Sequence, residues 1–171
     1  MTGHHYTKKM KNKKLKEELE STFKDIQIIV PEDARLSITT KKEQVLTILR
    51  FLKDKRFNFL TLISCVDWIE EKEFELIYII TSYREGLQII LKTRISRVNP
   101  EFETVIPIFK SAEFYERELH ELFGINFEGN QRLIPLFLER DYKIPPFRKD
   151  FDTREYVEKV FDKIPFVEEK K

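Results

Sequence analysis

Glycine, cysteine and histidine are scarce in this chain of 171 residues, which holds four, one and three of them. Each shortage excludes a class of function. Gly3, Gly86, Gly124 and Gly129 are too few and too scattered for a dinucleotide fingerprint or a phosphate loop, which need closely spaced glycines ahead of a helix. The lone Cys65 excludes an internal disulfide, a zinc finger, and an iron–sulfur cluster held by this chain alone. No apolar run approaches the roughly 20 residues that cross a bilayer. The polar, lysine-rich start does not resemble a signal peptide. An excess of one charge is missing too: 31 basic and 30 acidic residues leave a formal +1, too weak a field to imply nucleic acid or an acidic membrane. These absences predict a soluble, cytoplasmic protein.

What is present points to one globular domain with a real core. Hydrophobic residues make up 41% of the chain, and 15 of its residues are phenylalanine. Abundant Lys, Glu and Ile with little Ala or Gln is a balance found in thermophiles. Residues 1–14, with most of six lysines between Lys8 and Lys16, read as a flexible basic tail. Leu15, Leu19 and Phe23 then fall at helical spacing. Strand-like runs follow at 26–30 and Arg35–Thr39, with a turn at Asp33. Val45, Leu46, Leu49 and Leu52 give an amphipathic helix over 41–55. The apolar, β-branched run Phe59–Trp68 predicts a buried strand, and 74–83 with 86–95 a hairpin turned by Gly86. The expected fold is α+β: a mixed or antiparallel sheet with helices on one side, spanning 15–124. Five prolines punctuate the chain from Pro100 to Pro146. Residues 125–171 read as an extended arm that wraps a partner, because their short apolar patches cannot form a core alone.

The densest chemistry lies in YERELHELFG, 115–124. A metal site there would join His120 to Glu116 one turn away. The other histidines, His4 and His5, lie in the tail, so the ligand set is poor. Glu116 and Glu118 point about 200° apart on a helix, so they cannot flank one scissile bond. Cys65, in an apolar strand, reads as a buried inert thiol. A nucleic-acid-binding module would need exposed aromatics beside the lysine cluster, whereas Phe59, Trp68, Phe74 and Tyr78 sit in apolar context. On residue chemistry alone the stretch is a helix capped by Ser111, stopped by Gly124, and laced by Glu113 with Arg117 and Arg117 with Glu121 at i, i+4.

The order of several segments adds a resemblance. FNFLTLISCVDW (57–68), FELIYIITSY (74–83), GLQIILKTRI (86–95), NPEFETVIPIFKSAEFYERE (99–118), YERELHELFGINFEGN (115–130) and PPFRKDF (145–151) resemble, in order and spacing, the C-type or "thirty-kilodalton" subunit family of respiratory complex I. That family includes relatives in energy-converting membrane-bound [NiFe] hydrogenases and related archaeal complexes. The resemblance implies a non-catalytic, cofactor-free peripheral subunit of a membrane-bound oxidoreductase. It would lie on the cytoplasmic side of the cell membrane, reaching it through partners.

Residue by residue, the resemblance assigns structural and subunit-interface roles to Glu116, Arg117, Glu118, Glu121, Phe123 and Gly124, and to Arg148, Lys149 and Asp150. The implied partners are a large catalytic subunit with a quinone or [NiFe] site and an adjacent Fe–S subunit. Fe–S clusters and any [NiFe] centre would belong to those partners. The chain departs from the family pattern at Asn130, where many members have histidine. It departs again at Ile134 and Pro135, in place of an arginine pair, and around Ile144 and Pro145, in place of a glycine. These departures favour a hydrogenase-type or related complex over a standard NADH–quinone enzyme as the assembly.

Overall fold

The computed structural model describes residues 2–32, 34–138 and 144–160; the turn expected at Asp33 lies outside them. Helix α1 (Thr2–Thr22) leads into strands β1 (Gln27–Glu32) and β2 (Arg35–Thr39), then helix α2 (Val45–Asp54). Strands β3 (Phe59–Trp68), β4 (Glu73–Ser82), β5 (Leu87–Ser96) and the short β6 (Glu101–Glu103) follow. Helix α3 (Ala112–Phe123), the short strand β7 (Asn126–Glu128) and helix α4 (Thr153–Val160) complete the order.

The main sheet is mixed, in the order β1-β2-β5-β4-β3. All neighbours are antiparallel except β2 and β5. Register lines the core up in rows: Leu36, Ile89, Ile80 and Leu60 lie side by side, as do Ile38, Leu91, Tyr78 and Ile63. All eight are buried. This is the period-2 alternation expected of a sheet with one face packed. At Thr61 an extra residue bulges β3, so Leu60 and Ile63, three apart, still face the core. On the opposite face Arg94 bonds Glu73 at 3.0 Å and lies 4.6 Å over the Trp68 ring.

Helices cover the buried face, and the core joins Leu15 and Leu19 of α1, Val45 to Leu52 of α2, and Leu119 to Phe123 of α3 to the sheet. Helix α2 ends in a Schellman motif. Phe57 N–H donates to the Leu52 carbonyl and Arg56 N–H to that of Lys53, with Arg56 at φ 69°. The arginine occupies a left-handed position that glycine usually takes.

The expected α+β class, mixed sheet and one-sided helices are found. Helix α1, however, begins at Thr2, within the stretch expected as a tail. Straight-chain Lys and Glu residues are good helix formers, and Lys13 with Glu17 and Lys16 with Glu20 add i, i+4 pairs. A parallel pair, β6 with β7, sets Phe102 opposite Phe127 beneath Tyr78, whose ring is 6.1 Å from that of Phe102. This pair brings the start of the arm back against the residues that precede α3.

Candidate functional site

Helix α3 is the structural hub, and its charged residues do not form the expected ladder. Glu113 pairs with Arg132 at 3.2 Å instead of Arg117. Arg117 and Glu121 turn to the arm. Ser111 makes no side-chain cap; it is already helical, at φ −64° and ψ −15°, because backbone turns before it, Ala112 N–H to Phe109 and Glu113 N–H to Lys110, wind the chain into the helix. At the other end Gly124 stops the helix as expected, left-handed at φ 75° and bonded to the His120 carbonyl. A Cβ there would stand 3.0 Å from Pro145 Cγ, so the arm passes close by.

Glu116 points inward and is fully buried. Its carboxylate accepts from Thr104 Oγ1 at 2.7 Å, Val105 N–H at 2.8 Å and Asn130 Nδ2 at 3.0 Å. Burial raises its pKa despite these three donors. The residue ties the ends of β6 and β7 to α3. Asn130, a departure from the family pattern, is one of its ligands. These partners are all neutral donors, so the site is a hydrogen-bonded anchor.

Arg117 and Glu121, one turn apart, grip the arm by its backbone. Arg117 Nε donates to the Ile134 carbonyl at 3.1 Å, and Nη2 to that of Pro135 at 3.0 Å. Glu121 accepts the amides of Leu136 and Phe137, each at 3.0 Å, and that of Leu138. Cation meets carbonyls and anion meets amides, each group facing the opposite end of the peptide dipole. With the backbone engaged, Ile134 and Phe137 leave their side chains 52% and 65% exposed. Glu118, between the two gripping residues in sequence, is half-buried and takes no part in the grip.

Farther along, 144–151 closes over the end of the sheet. The Phe123 ring meets Phe74 of β4 at 5.8 Å on one side and Phe147 of the arm at 5.9 Å on the other. Arg148 lies 5.3 Å over the Phe74 ring and donates to the Arg97 carbonyl at 2.7 Å. The Lys149 amide donates to Asp67 at 2.8 Å. Arg97 bridges Asp67 at 2.7 Å and Asp150 at 2.6 Å. Burial works to raise the Asp67 pKa, but Arg97 and the Lys149 amide outweigh it and hold it below its usual range. Arg97 does the same for Asp150.

The family resemblance singles out all nine of these positions but not their partners Thr104 and Arg97, and Asp67, which at a strand's end reads as a turn or cap residue, is instead buried against Arg97. Asp67 does carry a signal, since a carboxylate in an apolar strand needs a donor or a cation. The hairpin register, which puts Asp67 beside Phe74 and Ile95, leads to Arg97 two residues further on.

Two residues of types that often carry chemistry, Cys65 and His120, are buried or engaged here. Cys65 is buried and its thiol is pushed up to about 12, chiefly by burial. His120 Nδ1 donates to the Ile125 carbonyl at 2.9 Å, since a carbonyl only accepts. Among the described residues, no group of three or more His, Cys, Asp or Glu could hold a metal ion, and no helix is long and apolar enough to cross a membrane.

The site is thus an α+β domain whose helix α3 holds the following arm by its main-chain groups. The pattern of the respiratory-chain NADH dehydrogenase 30 Kd subunit family matches residues 38–157, from β2 into α4. The chain belongs to that family. It is 35% identical to the C subunit of the F(420)H(2) dehydrogenase of Methanosarcina mazei over 120 residues, covering 69% of this chain and 76% of the relative. With the C subunit of the NADH-quinone oxidoreductase of Rhodobacter capsulatus it shares 32% identity, covering 75% of this chain and 66% of the relative. A chain in the structure of the membrane-bound sulfane sulfur reductase, an archaeal respiratory membrane complex, superposes with a TM-score of 0.81 at 29% identity. That match covers 94% of this chain and 99% of the other.

Proposed function

We propose that this protein is a peripheral, non-catalytic subunit of a membrane-bound complex I-like oxidoreductase, and that its arm docks it on the large catalytic subunit. One observation carries the reading. The arm's backbone is held within the chain while Ile134, Phe137 and Phe147 are left 52%, 65% and 61% exposed, and Phe114 of α3 is 60% exposed. Large apolar groups fixed in place but uncovered mark a surface that a partner buries. Glu116, Arg117, Glu121, Phe123, Gly124, Arg148, Lys149 and Asp150 act here by fixing the arm's route. Fe–S clusters and any [NiFe] or quinone site belong to the partner subunits, and attachment to the membrane is through them.

Within that class, the energy-converting hydrogenase or a related archaeal-type complex is the assembly we favour. Its support is the superposition with the sulfane sulfur reductase chain, at a TM-score of 0.81 over 94% of this chain, against 0.60 over 70% for a trypsin-resistant fragment of Nqo5. The test is affinity purification of the tagged chain from native membranes, with subunit identification and Ni/Fe analysis. A photo-crosslinking residue in place of Phe137 should capture the large subunit. A chain recovered alone from those membranes, with no crosslink from position 137, would sink the proposal.

A further inference from the structure

Glu118 stands apart on α3. Every other ionisable side chain of the helix has a partner within the chain. Glu113 has Arg132, Tyr115 donates to the Thr61 carbonyl at 2.7 Å, and His120 holds Ile125. Glu116, Arg117 and Glu121 hold the loop and arm. Glu118 is half-buried, yet among the described residues it makes no hydrogen bond and no ion pair. A carboxylate in that position has lost part of its hydration without gaining a counterion.

Its placement says from which side a counterion would come. At about 100° per residue, Phe114, Glu118 and Glu121 fall within a sector of about 60° on the outward side of the helix. Phe114 is 60% exposed, and Glu121 holds the amide of Phe137, whose ring is 65% exposed. Among the described residues, the cations of this helix and of the segment it holds are engaged: Arg117 by two carbonyls and Arg132 by Glu113. The face therefore offers, among the described residues, apolar rings and one unmatched negative charge.

We infer that Glu118 is the charged contact of the docking surface, receiving an arginine or lysine of the large catalytic subunit between Phe114 and the arm. This rests on the docking reading above and names the chemistry it needs. Aromatic neighbours that exclude water strengthen such a pair, and a guanidinium could also lie over a ring. An acidic or lipid-phosphate surface would be repelled by the same carboxylate.

The test compares Glu118→Gln and Glu118→Lys, each as the full isolated chain and as the complex purified from membranes. Since Glu118 has no partner among the described residues, both isolated chains should melt within about 2 °C of the parent. Recovery of the complex should fall about tenfold or more for Glu118→Lys, and less for Glu118→Gln, whose complex should also lose part of its salt sensitivity. Recovery of the Glu118→Lys complex at the parent yield would overturn the inference. So would a melting loss in the isolated chain large enough to account for the assembly loss. The crosslink from position 137 separates the two claims. If it reaches the large subunit while Glu118→Lys assembles normally, docking stands and the role of Glu118 falls.

Discussion

Replacing Glu121 with alanine should free one defined stretch of the arm without unfolding the domain. The carboxylate accepts three successive amides, those of Leu136, Phe137 and Leu138. A hydrogen bond to a charged group contributes about 1.5–3 kcal/mol when well shielded. This segment is half-exposed to exposed, so water competes and the whole set contributes about 2 kcal/mol. At 1.4 kcal/mol per factor of ten, exchange of those amides with solvent deuterium should accelerate about 30-fold. Glu121→Gln keeps an acceptor oxygen but loses the charge, and should fall between the two, near fivefold. The strands should exchange as before, because their protection reports global opening. Hydrogen exchange resolved to single residues gives the readout. Unchanged rates at 136–138 would refute the grip. Acceleration spread evenly through α3 would show Glu121 supporting the helix instead of the arm.

Three further outcomes can be checked on the isolated chain. Arg56→Gly should raise stability by about 0.5–1 kcal/mol, because the residue sits left-handed at φ 69° in the cap of α2 and glycine adopts that geometry without the Cβ clash; thermal unfolding reads it. Tyr78→Phe should be neutral or stabilising by up to about 1 kcal/mol, since the hydroxyl is buried without a hydrogen-bond partner among the described residues; a loss above about 1 kcal/mol would reveal a partner for it. Acid should loosen the closing segment. Asp67 and Asp150 titrate below the ordinary 3.8 in the folded chain, so their contribution is present above that value and fades as pH falls below it. Urea unfolding followed by the single Trp68 should show this slope, and Arg97→Met, at a cost of about 3 kcal/mol at neutral pH, should flatten it.

How much of this the sequence disclosed depends on how far each contact reaches. Strands β4 and β5 were legible because alternation is local: Phe74, Leu76, Tyr78 and Ile80 face the core whatever lies elsewhere. Strand β3 was expected as a buried run, but only one face is covered, and Phe59, Leu62 and Trp68 are exposed. The apolar stripe of α2 was legible for the same reason. Strands β6 and β7 were not, as each has three residues and owes its existence to pairing with the other across α3. The ladder on α3 failed for a related reason. An i, i+4 pair is worth only a few tenths of a kcal/mol, and peptide groups 15 to 18 residues onward outbid it for Arg117 and Glu121. The α3 positions were recognised through resemblance to a family. What they hold became visible only once the chain was folded.

That grip has a consequence beyond the fold. Among the described residues, the hydrogen bonds of Arg117 and Glu121 go to carbonyls, which every residue supplies, and to amides, which every residue but proline supplies. Segment 134–138 is thus held whatever its side chains are, provided 136–138 stay free of proline. The departures at Ile134 and Pro135 fall where carbonyls alone are read. The same clamp can therefore display a different lettering on its outer side, and a lineage can change what the arm presents without rebuilding what does the holding.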